Sequence, residues 1–220
     1  MVIIPTGQRI ENTNVSMCKR YGIAERFKPP KMYEYPNSSE PYNATQFRHQ
    51  CYQVITICLL TMFVSYFNYN YKDEFRPLDK SMSEDCLFLN IWVPESAIQG
   101  GKANASKLPV LIYIHGTWIL FPTPAASLMH SIGGALCTGS GATSLLNVTT
   151  YTDKGIIVVS LNYRLGIFGF WMHPELTARQ PDFPTNFGLL DQQLAIKWIQ
   201  KNIEYFGGDP NEITLLGLQI

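Results

Sequence analysis

The stretch from Asn186 to Ile220, NFGLLDQQLAIKWIQKNIEYFGGDPNEITLLGLQI, constrains the chain most, because it dictates a helix followed at once by a strand. Leu190, Leu194 and Trp198 recur every four residues, and Ala195, Ile199 and Ile203 fill the adjoining row. That spacing predicts a helix over 188–205 whose apolar stripe is wide enough to press onto a sheet. Gly207-Gly208 ends it, since glycine takes the left-handed conformation that closes a helix, and Pro210 cannot continue the helix. Ile213 to Leu216 then reads as a short buried strand with Gly217 at its tip. Two earlier runs, Leu108 to Gly116 (LPVLIYIHG) and Gly155 to Arg164 (GIIVVSLNYR), are continuously apolar and rich in β-branched residues, as parallel strands covered on both faces are. The class these elements define is α/β, a mostly parallel sheet flanked by helices.

The 220 residues, 46% apolar and 15% charged, suffice for one hydrophobic core. Seventeen basic and seventeen acidic side chains cancel, so the charge balance implies neither a nucleic-acid surface nor an anionic-membrane surface. The five cysteines, Cys18, Cys51, Cys58, Cys86 and Cys137, lack paired C-x-x-C spacing, which argues against a zinc site, and no cofactor or metal motif is present. Asn-x-Ser/Thr acceptors stand at Asn14, Asn37, Asn43, Asn104 and Asn147, a density compatible with the secretory pathway and the extracellular side of a membrane. The opening MVIIPTGQRI carries no secretory signal pattern, so either the start is missing or the product is not exported. Ile3 to Ile10, with Pro5-Thr6-Gly7 inside it, reads as an opening hairpin.

Three segments, SEDCLFLNIWVP (Ser83 to Pro94), NYRLGIFGF (Asn162 to Phe170) and GLLDQQLAIKWIQKNIEYFGGDPNEITLLG (Gly188 to Gly217), resemble in sequence and order the type-B carboxylesterase and cholinesterase family of α/β-hydrolases. The resemblance implies that residues 1–220 are the N-terminal part of such a domain, roughly its first two-fifths, incomplete at the C-terminal side. In the family, the strand ending at Gly217 runs into a G-x-S-x-G turn that lifts a nucleophilic serine above the sheet. Here the turn reads Gly217-Leu218-Gln219, so an amide that cannot form an acyl-enzyme holds the nucleophile position. The acid and histidine of the family's triad follow in chain order after the serine, so no ester hydrolysis is expected from the chain as written.

Other family features follow the same matches. Cys51, beside the Ala44 to Phe47 segment, and Cys86 of SEDC match the family's first disulfide, the alternative being buried thiols. Arg164 with Asp191, and Arg26 with Glu84, match its structural ion pairs, the alternative being solvated surface charge. Tyr21 to Pro30 resembles a family segment shortened by a proline-rich turn, a loss that loosens the entry wall of the site. The family's strand ending in H-G-G-G or H-G-G-A supplies the oxyanion hole. In this chain His115-Gly116 is separated from Gly134-Ala135 by Thr117 to Gly133, which reads as an insertion that interrupts the hole, the alternative for these glycines being a flexible surface turn. A second insertion is placed at 54–72. Its apolar part, Val54 to Phe67, is shorter than the roughly 20 residues a bilayer demands, and it reads as an assembly error before a membrane helix or a buried strand.

Three roles compete on this reading. The first is a fragment of a secreted carboxylic ester hydrolase, acting on a small carboxylic ester when full length. The second is a catalytically silent, neuroligin-like binding protein with a cell-surface partner. The third is a membrane-tethered form using 54–67. Arg76, with Phe75 beside it, holds the position of the cholinesterases' cation-binding tryptophan, so a general carboxylester fits an enzyme better than choline.

Overall fold

The computed structural model describes residues 8–10, 14–35, 44, 46–53, 81–99, 102–103, 107–116, 136, 139–142, 148–179 and 185–217. Among these residues twelve strands follow one another: β1 (Gln8–Ile10), β2 (Asn14–Arg20), β3 (Gly22–Ile23), β4 (Lys31–Met32), β5 (Gln50–Cys51), β6 (Met82–Ser83), β7 (Phe88–Pro94), β8 (Ile98–Gln99), β9 (Lys102–Ala103), β10 (Leu108–Ile114), β11 (Ile157–Leu161) and β12 (Gly208–Gly217). The helices are α1 (Val148–Thr152), α2 (Gly166–Phe170), α3 (Pro174–Arg179) and α4 (Phe187–Asn202).

Six strands form the central sheet in the order β1-β2-β7-β11-β10-β12. β10 runs parallel to both β11 and β12, while β11, β7, β2 and β1 pair antiparallel in succession. Every residue of β7 and β11 is buried, which explains why their sequences show no polar alternation. The opening hairpin is β1 with β2, so it lies later in the chain than the Ile3–Ile10 reading, whose first residues are outside those described. Strand β2 has in β7 a full-length partner, from Asn14↔Pro94 to Arg20↔Phe88.

Helix α4 packs on the sheet through Asp191, Ala195, Trp198 and Ile199, with Ile203 following in a 3-10 turn. Leu190 and Leu194 lie at the margin of this face, half-buried. Gly207 closes the turn at φ 84°, with its N–H on the Glu204 carbonyl. The strand after it differs from the expected short buried one. It begins at Gly208 and is mostly exposed, Leu215 at 54% and Leu216 at 36%. The reason is position: β12 borders only β10, so one backbone edge of it has no neighbouring strand among the described residues.

The Tyr21–Pro30 segment is held at both ends by hydrogen bonds. β3 and β4 close a small antiparallel hairpin, the Tyr33 N–H bonds the Tyr21 carbonyl, and the Tyr21 hydroxyl donates to the Asn162 carbonyl at 2.6 Å. Among the described residues no helix is long and apolar enough to cross a membrane; residues 54–72 and 117–133 lie outside them.

Candidate active site

In a parallel sheet the backbone at the carboxyl ends of the strands opens into loops, and ligands bind there. Ile114 of β10 pairs with Leu161 of β11 on one side and with Gly217 of β12 on the other. The residues that follow, His115-Gly116 and Asn162-Tyr163-Arg164, therefore leave the sheet at the same end as Gly217, the last residue of β12. Gln219, Gly134 and Ala135 are outside the described residues; Gly116 is within them, half-buried.

His115 is 2% exposed, and its ring lies on that of Tyr163 with centroids 4.4 Å apart and planes 14° from parallel. Both ring nitrogens are buried without a hydrogen-bond partner. Burial, with nothing to stabilise a charge, pushes the imidazole down to about 3, so the ring is neutral at physiological pH. Tyr163 donates its hydroxyl to the His115 carbonyl at 2.8 Å, which fixes the peptide plane leading into Gly116. Burial raises the Tyr163 phenol well above its ordinary range, with the charge of Tyr113 a smaller cause, so this donor keeps its proton. The neighbouring Tyr113 hydroxyl is pushed up to about 12 by burial and has no partner.

Residues 139–142 pack against this pair. Gly139 sits at φ 134°, and a Cβ there would come within 2.2 Å of His115 Nδ1, so only glycine fits. The Gly139 N–H donates to Gln53 Oε1 at 2.8 Å, and Gln53 Nε2 donates to the Gly139 carbonyl at 3.2 Å. Asn162 Oδ1 accepts from the Gly141 N–H at 2.8 Å and from Ser140 Oγ at 3.3 Å, while its Nδ2 donates to the His49 carbonyl at 3.1 Å. Ser160 donates to the Gly141 carbonyl at 2.5 Å and itself accepts from Asn90 Nδ2 at 3.2 Å. Gln53, Asn162 and Tyr163 were not singled out as site residues from the sequence. The repeated amide and hydroxyl types in otherwise apolar strands, Asn90, Ser160 and Asn162, were the available signal.

Two ion pairs and a disulfide frame the site. Arg164 and Asp191 pair at 6% and 0% side-chain exposure, through Nε to Oδ2 and NH2 to Oδ1, both 2.8 Å, with the Arg164 backbone N–H on Oδ2 at 3.0 Å. Burial pushes the Asp191 carboxyl up, against the three Arg164 hydrogen bonds that pull it down. The remaining guanidinium nitrogen donates to the carbonyls of Glu25 and Lys28, so one buried arginine joins α4, the exit of β11 and the β3–β4 hairpin. Arg26 forks onto Glu84 and lies over Phe168, its guanidinium carbon 5.3 Å from the ring centre; hydrogen bonding to Arg26 holds the Glu84 carboxyl below its usual range. This pair is solvent-screened, with Arg26 57% exposed. Cys51 and Cys86 form a disulfide with Cα atoms 4.9 Å apart, beside the parallel β5–β6 pairing.

Cys18 is buried in β2, and Cys58 and Cys137 lie outside the described residues. Of the glycosylation candidates, Asn14 is the first residue of β2 and Asn37, Asn43, Asn104 and Asn147 are outside the described residues. Among the described residues no group of three or more His, Cys, Asp or Glu could hold a metal.

The family model of the carboxylesterase family matches residues 23–219. Relatives include the fumonisin B1 esterase of Sphingopyxis macrogoltabida, 41% identical over 136 residues, covering 61% of this chain and 21% of that protein. The acetylcholinesterase of Bungarus fasciatus is 38% identical over 175 residues, 80% of this chain and 23% of that protein. The bile salt-activated lipase of Homo sapiens is 42% identical over 141 residues, 61% of this chain and 15% of that protein. Among solved structures, a thermophilic pNB esterase superposes with a TM-score of 0.67 at 31% identity, covering 98% of this chain and 38% of that one. The chain thus spans well under half the length of these relatives. With the α/β-hydrolase sheet, the His-Gly loop and the 23–219 match in agreement, the chain belongs to the carboxylesterase family.

Proposed function

We propose that residues 1–220 form the N-terminal, oxyanion-side part of a secreted carboxylic ester hydrolase domain, and that the chain as written does not turn over esters. The observation that carries the reading is the shared register of Ile114 with Leu161 and Gly217, which brings the His115-Gly116 loop and the last residue of β12 to one end of the sheet, with Leu218 and Gln219 next in the sequence. At that edge an esterase needs amide donors beside a nucleophile. The His115-Gly116 backbone is held in place by Tyr163, whereas Gln219 offers no proton for a base to take and no acyl acceptor. The segments 54–72 and 117–133 are insertions in this reading, and a transcript that lacks both in frame supports it. The Cys51–Cys86 bridge and the five acceptor asparagines support passage through an oxidising, secretory compartment. No described residue favours a neuroligin-like binding role or a membrane tether over this one. General carboxylesters are the substrate class for the full-length form, since Arg76 would repel a quaternary ammonium.

The test is an assay of the full 220-residue chain with p-nitrophenyl butyrate and with a serine-directed organophosphate. No turnover above buffer and no covalent adduct by intact mass are expected. Turnover that the organophosphate abolishes overturns the proposal.

A further inference from the structure

We infer that Gln53 and Asn162 are positioning residues that brace residues 139–142 against His115, and that the Cys51–Cys86 disulfide holds this brace in place. The inference rests on the ester-hydrolase reading only for what the brace serves, the oxyanion side of the site; the brace itself stands on contacts. Gln53 grips both polar groups of the Gly139 backbone, so its amide acts as a strand neighbour would, satisfying a donor and an acceptor of one residue at once. Asn162 makes the second grip, taking the Gly141 N–H on its oxygen and giving its amide hydrogen to the His49 carbonyl. Loop 139–142 and segment 49–53 are thereby fastened to each other and to the end of β11.

Segment 49–53 is fixed in turn by three things. Gln50 and Cys51 pair with Met82 and Ser83, the Gln50 N–H bonds the Ser81 carbonyl, and Cys51 is bonded to Cys86 immediately before β7. The only covalent element in this set is the disulfide. Gly139 is the point where the brace meets the site, because its missing side chain lets the backbone lie directly on the His115 ring. That ring cannot hold its own position by hydrogen bonding, since neither nitrogen has a partner. Packing holds it, with Tyr163 on one face and Gly139 against Nδ1. Releasing Gly139 therefore removes the contact on the Nδ1 side of His115 and leaves Tyr163 as the support of the ring and of the peptide that follows it.

Backbone amide exchange reads this directly, and it does so whether or not the chain has ester activity. The oxidised full chain is compared with Gln53→Ala, with Gln53→Glu, and with the dithiothreitol-reduced wild type, by peptide-resolved hydrogen exchange covering residues 139–142, β10 and β11. Gln53→Ala is expected to speed exchange at 139–142 by roughly five- to tenfold per hydrogen bond lost, with β10 and β11 unchanged. Gln53→Glu keeps the acceptor for the Gly139 N–H but replaces the amide that donates to the Gly139 carbonyl and to Gln50 Oε1, and is expected to exchange faster than the wild type. Reduction is expected to speed the same amides. If Gln53→Ala unfolds, the glutamate variant and the reduced protein decide. The inference is overturned if 139–142 is unprotected in the wild type, or if Gln53→Ala and Gln53→Glu both exchange there as slowly as the wild type. It is likewise overturned if 139–142 and the two strands accelerate by the same factor.

Discussion

Acidifying the protein from pH 6.5 to pH 5 tests the buried histidine at the head of the site. In the folded chain the His115 imidazole, 2% exposed and with no partner at either nitrogen, is held down to about 3 from an ordinary 6.5. As the pH falls below 6.5 the unfolded chain takes up a proton that the folded chain refuses, so folding stability decreases with falling pH until about pH 3. Each pH unit in that interval is worth about 1.4 kcal/mol, so the step from 6.5 to 5 removes about 2 kcal/mol. The Glu84 carboxyl, held below its usual range by hydrogen bonding to Arg26, is common to both proteins compared below. The assay is urea unfolding followed by tryptophan fluorescence at several pH values, on the wild type and on His115→Phe, which keeps a ring on Tyr163 but does not titrate. Other histidines are common to both proteins, so the difference isolates one ring. The wild type is expected to lose about 2 kcal/mol relative to the variant across this interval. Equal pH slopes in the two proteins refute the reasoning, since they would mean that the ring is solvated or paired.

Asp191→Ala leaves the Arg164 guanidinium buried without its carboxylate and is expected to cost about 3–5 kcal/mol in urea unfolding, whereas the double change Arg164→Met with Asp191→Leu should recover most of it; a loss below about 1 kcal/mol in the single variant contradicts the buried pair. Reducing the Cys51–Cys86 bridge, which spans 35 residues, is expected to lower stability by roughly 4 kcal/mol in the chain-entropy model, checked by unfolding with and without dithiothreitol. Leu215→Lys, at a half-exposed position on the β12 edge, is expected to reduce self-association in sedimentation velocity with little change in stability; undiminished association would place the contact elsewhere.

The framework was legible in the sequence because it rests on local chemistry. The stripe through Ala195, Ile199 and Ile203, the Gly207 stop and the β-branched runs of β10 and β11 each specify their element from neighbours alone, and all appear where those patterns place them. The family matches carried Arg164, Asp191, Cys51 and Cys86 as residue identities, and geometry supplied the bond lengths and the burial. Where the reading missed, a distant partner was deciding. Ile213 to Leu216 has the composition of a buried strand, yet burial depends on what lies beyond it, and β12 is an edge among the described residues. Of the Ile3–Ile10 hairpin only Gln8–Ile10 is described, and that strand pairs with residues 14–16, which the local turn residues did not mark.

The sequence by itself determined the elements, their order and the family, since hydrophobic period and glycine and proline punctuation act over a few residues. Only the tertiary structure decided what surrounds His115. Gly139 and Tyr163 reach it from positions 24 and 48 residues away along the chain, and Gln53, 62 residues from His115, grips Gly139. Nothing in the local sequence marks an amide, a glycine and a phenol as neighbours. The parallel sheet brings their backbones to one edge, and the need of each buried donor and acceptor for a partner then fixes which side chains meet.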